Sequence, residues 1–419
     1  MFVYTVKPGD SLYSISQKYQ YPLNNLRMVN GLHRDNITPG QALLIPSRSY
    51  TVQQGDSFYS IAKRAYISAD ELLRANPGVD PNQLQPGMRV NIPEISKEYI
   101  TTFGYTVVRG LPSDIKQIED FAPYTSLMAL FEYHFYSNGS LSQLNVSAEV
   151  AAAWRNHMTP LATITNLTPQ GFSSSLTHQV LSNPSATERL INNIYQLVTT
   201  NGFGGVNIDF EKVLAEDREL FSSFLRRLNQ RLKERNLITT ISVPPKENDN
   251  IPWLKGYDYQ AIGSAVDYMF IMAYDWHYPG SEPGPVAPIG EIRKTLDFAV
   301  SKVRRDKIIL GVPYYGYDWI IPYRPGQLPV TLSAHAATTV AMNNNVPIQY
   351  SEEYKSPFFY YTDTSNRRHV VWFEDARSLI EKALLVRKYR LGGFGAWELS
   401  FGLPQGSWIL TRFFRVRKV

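Results

Sequence analysis

Hydrophobic and polar positions follow different patterns before and after about residue 95. Before it, short stretches rich in β-branched, aromatic or aliphatic residues, such as 3–6 and 42–45, indicate strands, and apolar residues at helical spacing indicate short helices between them. After it, short apolar runs alternate with longer amphipathic segments. The pattern therefore predicts a small α+β region followed by a larger α/β region.

The α+β region contains an internal repeat. Three segments recur 46 or 47 residues further along the chain: Tyr-Thr-Val (4–6 and 50–52), Gly-Asp-Ser (9–11 and 55–57) and Pro-Gly (39–40 and 86–87). Each copy is predicted to begin with a strand and to continue through two helices, with Asp10 or Ser11 as the cap of the first helix. A Pro-Gly turn then leads into a second strand.

This β-α-α-β unit resembles the LysM module over the full length of both copies. The resemblance implies binding of glycans that contain N-acetylglucosamine, in peptidoglycan or chitin, between the loop after the first strand and the loop before the second. The residues implied as glycan contacts are Gly9, Asp10, Ser11, Leu12, Ile37 and Pro39 in the first copy, and Gly55, Asp56, Ser57, Phe58, Leu84 and Pro86 in the second. For each residue a purely local role stays open, because glycine serves turns and aspartate caps helices.

Beyond a polar linker at 94–99, eight strand candidates are separated by helical stretches. They are residues 101–108, 126–133, 159–165, 205–210, 238–243, 268–274, 308–314 and 393–397. Eight such units predict a (β/α)8 barrel, with a doubly wound sheet as the alternative. About 75 residues separate the last two strands, so we expect a small α+β insertion at about 318–370. The predicted domains are residues 1–47, 48–95 and 96–419.

The fourth strand candidate carries the clearest chemical signal. Along residues 206–211, every second residue is apolar, and the residues between them are Asn207, Asp209 and Glu211. A parallel strand is normally apolar on both faces, and alternate residues share a face about 6.6 Å apart. The three polar groups should therefore line up inside the barrel and end at its carboxyl-terminal face, where barrel enzymes place their active sites. A structural hydrogen-bond network is the alternative.

Residues 204–211 resemble the Asp-x-x-Asp-x-Asp-x-Glu signature of glycoside hydrolase family 18, which contains chitinases and related N-acetylglucosaminidases. Asp209 and Glu211 match the last two acids, whereas Gly204 and Asn207 replace the first two. The resemblance implies that Glu211 is the general acid and later the base, and that Asp209 orients the acetamide of the substrate, whose oxygen is the nucleophile. The two replacements change the charge balance behind Asp209, and Asn207 is predicted to bind substrate.

Two further strands carry matching motifs. The Met-Ala-Tyr-Asp run at 272–275 resembles the sixth strand of the family, which implies that the Tyr274 hydroxyl bonds the acetamide and that Asp275 binds substrate. The run at 392–398 resembles the eighth strand, whose Trp397 floors the sugar pocket; a core role for Trp397 is the alternative. Several aromatic residues past strand ends either stack on further sugars or pack within loops: Trp276, Tyr278, Tyr317 and Trp319. Of these, Trp276 is predicted to bind substrate.

Composition excludes several other classes of protein. The chain has no cysteine, and its seven histidines form no HExxH-type cluster, so we expect neither a metal site nor a cofactor. A net charge of +5 over 419 residues is too small an excess to indicate a nucleic-acid-binding protein. No apolar run approaches the roughly 20 residues needed to span a bilayer, and the first residues lack a secretory signal pattern. The basic and aromatic tail at 412–418 is expected to be a solvated helix end, with a partner site as the alternative.

The combined architecture resembles the spore-associated peptidoglycan N-acetylglucosaminidases of endospore-forming bacteria. This implies hydrolysis of β-1,4 bonds after N-acetylglucosamine in peptidoglycan, especially spore cortex, with the LysM modules as glycan anchors. It also implies a location in the cortex or coat region of the spore, reached without a signal peptide, or otherwise in the cell wall. A chitinase and a catalytically inactive glycan-binding lectin are the alternatives.

Overall fold

A computed structural model describes residues 1–418, and its largest unit is a closed barrel of eight parallel strands. Neighbouring strands pair in chain order, and the eighth pairs with the first. The barrel strands are Glu98–Val107, Leu127–His134, Thr159–Thr165, Gly205–Asp209, Ile238–Val243, Tyr268–Met272, Ile308–Pro313 and Gly393–Trp397. The predicted (β/α)8 barrel is confirmed, and the doubly wound alternative is wrong because an open sheet would leave the first and last strands unpaired.

Amphipathic helices cover the outside of the barrel. The helix Arg218–Lys233 is typical, since Phe221 and Phe224 face inward and pack on Phe210 at ring distances of 5.7 and 5.6 Å. The other helices of this unit are Pro112–Phe121, Ser147–Arg155, Ser174–Leu181, Pro184–Thr200, Tyr259–Ala265, Ile289–Lys302, Ala376–Tyr389 and Gly406–Phe413. Short 3₁₀ turns lie at Ala122–Tyr124, Ala215–Asp217, Pro252–Leu254, Arg305–Lys307 and Leu399–Phe401, and a small hairpin joins Leu167–Thr168 to Gly171–Phe172.

An insertion separates the seventh and eighth barrel strands, as the long gap predicts. It is an antiparallel five-stranded sheet with one helix, Ala334–Asn343. Its strands are Tyr315–Ile321, Val330–Ser333, Gln349–Ser351, Ser356–Thr362 and Arg368–Trp372. Trp319 is only 1% exposed and packs against Tyr317, so of its two predicted roles the packing role is correct.

Each N-terminal repeat forms an antiparallel strand pair and two short helices. The strands are Phe2–Thr5 with Ala42–Ile45 and Ser49–Thr51 with Arg89–Asn91, and the helices are Leu12–Tyr19, Leu23–Val29, Phe58–Ala65 and Ala69–Arg74. Ser11 caps its helix by accepting a hydrogen bond from the Ser14 amide at 3.0 Å. Asp10 instead accepts from the Tyr4 hydroxyl at 2.6 Å and the Lys7 amide at 2.8 Å, so of the two predicted caps only Ser11 is correct.

The linker and the tail meet at the start of the barrel. Residues Phe414–Val416 form a strand that runs parallel to the first barrel strand, with Phe414 opposite Glu98 and Val416 opposite Ile100. The prediction of a solvated helix end for 412–418 is therefore wrong beyond Phe413, where the last helix ends. Pairing between residues more than 300 positions apart overrides the polar local pattern of the linker.

Candidate active site

The polar face of the fourth barrel strand points into the barrel. The Asn207 amide nitrogen donates to the Tyr105 hydroxyl of the first strand at 2.9 Å, and its oxygen accepts from Thr240 of the fifth strand at 2.8 Å. Side chains of the first, fourth and fifth strands can meet only inside the barrel, so the Asn207 side chain lies there. Asn207 is fully buried and satisfied within this network, so its side chain supports the strand instead of reaching a substrate, and the prediction that Asn207 binds substrate is wrong.

Gly204 lies where the family signature has its first acid, and packing explains the replacement. A Cβ atom at this position would lie 2.3 Å from Thr159 Cγ2 and 3.0 Å from Trp154 Cη2. The Trp154 ring is fixed in place, because its indole nitrogen donates to the Gly202 carbonyl at 2.8 Å. The strand therefore has no room for a side chain at 204.

Restoring that first acid should cost stability. We expect Gly204→Asp to lower the free energy of unfolding by about 1–3 kcal/mol through overpacking. Gly290→Asp is the matched control, because Gly290 is exposed in the first turn of its helix and a Cβ there meets nothing within 4 Å. Urea denaturation followed by circular dichroism measures both variants, and equal stabilities would contradict the steric explanation.

Glu211 lies two residues beyond the end of the fourth strand and is held through its backbone. The Asn166 side chain accepts from the Glu211 amide at 2.9 Å and donates to the Glu211 carbonyl at 2.7 Å. The buried Tyr257 hydroxyl donates to the carbonyl of the preceding residue, Phe210, at 2.8 Å. Sequence reasoning missed Asn166, although its place directly after the third strand is a signal that a search of polar strand ends would have found.

The two acids lie in an environment that favours their protonated forms. Burial raises the pKa of Asp209 well above its usual range, and the negative charges of Glu211 and Glu132 raise it further. Burial also raises the pKa of Glu211 to about 7. The positive charge of Lys212 lowers this pKa, and the negative charge of Asp275 raises it. One oxygen of Asp209 is buried and has no hydrogen-bond partner within the described chain. With a pKa of about 7, Glu211 can both hold and release a proton at neutral pH.

A pocket of about 310 Å³ opens above these acids at the carboxyl-terminal end of the barrel. Asp209, Glu211, Tyr274, Asp275 and Trp397 all line it. Trp397 is half-buried and its ring is fixed edge-on by Tyr105 and Phe131, each at 5.0 Å. Five predicted site residues from three strands thus face one cavity, with a flat indole beside the carboxyl pair.

Tyr274 and Asp275 are the link to the neighbouring insertion. Burial raises the pKa of Tyr274 well above its usual range, so its hydroxyl keeps its proton. Asp275 accepts hydrogen bonds from the Tyr315 hydroxyl at 2.7 Å and the Tyr317 hydroxyl at 3.2 Å, both on the first strand of the insertion. The insertion therefore holds one carboxyl group of the site in place from outside the pocket, and Tyr317 supports Asp275 instead of stacking on sugar.

A second cavity of about 540 Å³ shares Tyr274 and Asp275 with the first. Trp276, Trp253 and Tyr278 line it, and the last two are 73% and 50% exposed. Trp276 thus lines a neighbouring cavity and not the pocket that contains Glu211. Trp253 follows the fifth strand and was missed, because no motif surrounds it in the sequence.

The structure separates the predicted glycan contacts of the N-terminal modules into two groups. The side chains of Leu12 and Phe58 are 0% and 6% exposed within the module cores, so the prediction that they contact glycan is corrected, because helical packing takes them inward. Gly9 and Gly55 hold positive φ angles of 86° and 80° in the first loop. Four of the remaining predicted residues line one cavity between the two loops of the first module: Asp10, Ser11, Ile37 and Pro39. Their counterparts lie on the equivalent loops of the second module: Asp56, Ser57, Leu84 and Pro86.

Within residues 1–418, no group of three or more His, Asp or Glu side chains has the arrangement of a metal site. None of the helices in that range combines the length and hydropathy that a membrane crossing requires.

A closed parallel barrel with a carboxyl pair, a protonated tyrosine and an indole at its carboxyl-terminal end defines a barrel glycosidase. Residues 170–402 match the Glycosyl hydrolases family 18 description, and residues 4–46 and 50–93 match the LysM domain. The chain belongs to glycosyl hydrolase family 18 and carries two N-terminal LysM domains. It is a glycoside hydrolase, and both kinds of domain imply that it binds glycans.

Similar proteins share this whole architecture. The chain is 53% identical to the putative sporulation-specific glycosylase YdhD of Bacillus subtilis, and the alignment covers 100% of each. It is 34% identical to the cortical fragment-lytic enzyme of the same species over 100% of this chain and 99% of that one. The crystal structure of the Bacillus cereus spore cortex-lytic enzyme SleL superposes with a TM-score of 0.90 at 31% identity, covering 99% of both chains.

Proposed function

We propose that this enzyme hydrolyses β-1,4 glycosidic bonds after N-acetylglucosamine in spore-cortex peptidoglycan, by a retaining mechanism in which the substrate's acetamide is the nucleophile. The observation that carries the proposal is the convergence of Glu211, Asp209, Tyr274 and Trp397 in one pocket. The names of the relatives, a sporulation-specific glycosylase and cortex-lytic enzymes, support the choice of substrate and a location in the spore.

Each group has a role that suits its surroundings. Glu211 donates its proton to the glycosidic oxygen and then removes one from the attacking water. Asp209 holds the acetamide in line and stabilises positive charge on the ring that forms from it, which suits its unpartnered oxygen. The Tyr274 hydroxyl donates to the acetamide oxygen, and the Trp397 indole supports the apolar face of the sugar. Asn166 acts as a positioning residue, because it holds the Glu211 backbone on both sides.

The pH profile should follow the protonation of Glu211. Its pKa of about 7 means that the proton is present below that pH and is lost as pH rises, so kcat/KM should fall through about pH 7. Lys212→Asn removes the charge that lowers this pKa and should move the alkaline limb to higher pH, and asparagine tolerates the positive φ of 57° at this position. Asp275→Asn should move the limb to lower pH. pH profiles of kcat/KM measured on soluble N-acetylglucosamine oligomers check both directions. If the alkaline limbs of the two variants shifted in the same direction, the limb would not report the protonation of Glu211.

The products on purified cortex test the proposal as a whole. An acetamide must be present on the sugar whose bond is cut, and muramic lactam has its amine tied up in the lactam. We therefore expect mass spectrometry to find N-acetylglucosamine at every new reducing end. Muramic lactam at those ends would refute the mechanism, and faster turnover of chitin oligomers than of cortex fragments would favour the chitinase alternative.

A further inference from the structure

The two LysM modules have the same fold but different surroundings at the Pro-Gly turn before the second strand. Thr38 of the first module is buried, whereas its counterpart in the second, Gln85, is exposed. A Cβ atom on Gly40 would lie 1.7 Å from the Ile348 carbonyl oxygen, whereas one on Gly87 would meet nothing within 4 Å. The first turn is therefore covered by another part of the chain and the second is open to solvent.

The covering segment belongs to the insertion of the barrel. The Ile348 amide donates to the Pro39 carbonyl at 2.9 Å, and the Thr38 hydroxyl donates to the Val346 carbonyl at 3.1 Å. The Arg377 guanidinium, from the helix after the insertion, donates to the neighbouring turn carbonyl at 3.1 Å. These bonds fix the first module against the catalytic unit in one orientation.

The insertion also supplies part of the wall of the first module's groove. A cavity of about 550 Å³ lies between the two loops of that module, and Asn36, Ile37 and Pro39 line it. Met342 and Asn345 of the insertion line it as well. Asn345 is exposed and lies just past the end of the insertion helix, so its amide faces the groove without being buried in the insertion's own core.

We propose that the first LysM module and the barrel insertion form one composite binding site for a glycan that contains N-acetylglucosamine. The inference rests on the proposed function for the substrate class, and on the glycan binding that the LysM domains imply. The amides of Asn36 and Asn345 suit sugar hydroxyls and acetamides, and the apolar side chains of Ile37 and Met342 suit methyl groups and ring faces. A glycan in this site is held at a fixed angle to the catalytic barrel.

Hydrogen–deuterium exchange on the full chain tests the site. The Glu211→Gln background keeps the probe, a β-1,4-linked hexamer of N-acetylglucosamine, intact. We expect the probe to protect residues 342–346 together with 35–39. Asn345→Gly removes one side chain, and glycine accepts the φ of 53° at this position without strain. This variant should raise the probe concentration for half-maximal protection of 35–39 about two- to tenfold, and leave that for 82–86 unchanged.

The control variant is Asn343→Ala, which removes an exposed amide at the end of the same helix but outside the groove. It should leave protection of 35–39 unchanged. Protection of 35–39 without 342–346, or equal behaviour of the two variants, would overturn the composite site while leaving the modules as glycan binders. Absence of protection in both 35–39 and 82–86 would overturn the glycan-binding role together with the composite site.

Discussion

Glu211→Gln should lower kcat on soluble N-acetylglucosamine oligomers by about 10²–10⁴-fold, the usual contribution of a general acid and base. Glutamine keeps the size and the hydrogen-bonding atoms of the side chain but has no proton to transfer. The Asn166 contacts are to backbone atoms and survive the change. Glycan affinity, measured by calorimetry with the same oligomers, should therefore stay within a small factor.

Glu216→Gln is the matched control for this variant. Glu216 lies five residues further along the chain, in the 3₁₀ turn Ala215–Asp217, and its side chain is 66% exposed outside the pocket. Its kcat should equal that of the unmodified enzyme. Equal turnover by Glu211→Gln would remove Glu211 from the role of the acid.

Asp209→Asn should separate activity from stability. We expect kcat to fall by about 10²–10³-fold, because the neutral amide no longer stabilises the positive charge that develops on the acetamide ring. Stability should rise. The folded pKa of Asp209 lies above its unfolded value, so ionisation of this buried group destabilises the fold progressively as pH rises above the unfolded value of 3.8. The free energy of unfolding of Asp209→Asn should therefore equal that of the unmodified enzyme below that pH, and should exceed it by an increasing amount as pH rises above it.

Asp114→Asn provides the opposite case. Asp114 is also buried, but its carboxylate accepts from the Arg109 amide at 2.7 Å and the Leu111 amide at 3.1 Å at the start of the first barrel helix. This variant should lose stability and keep its kcat. Denaturant titration at pH 4 and pH 8 together with kinetics distinguishes the two patterns. A loss of stability in Asp209→Asn at pH 8 would show that Asp209 has a structural role.

The acid pair was predictable because its signal is local. Alternation along residues 206–211 determines which side chains share a face, and burial of one face follows once the strand enters a barrel. The partners of that strand were not predictable from the same pattern. Asn166 is 45 positions from Glu211, and the fully buried position of Asn207 depends on Tyr105 and Thr240 from two other strands.

By itself the sequence determined the repeated modules, the number of barrel strands and the carboxyl pair, since periodicity and short motifs act over a few residues. Only the tertiary structure decided that Gly204 has no room for an acid, that the tail becomes a strand and that the first LysM module is fixed to the insertion. Each of these depends on atoms brought together from distant parts of the chain. The physical reason is that steric space and strand pairing are properties of neighbours in three dimensions, which local alternation does not encode.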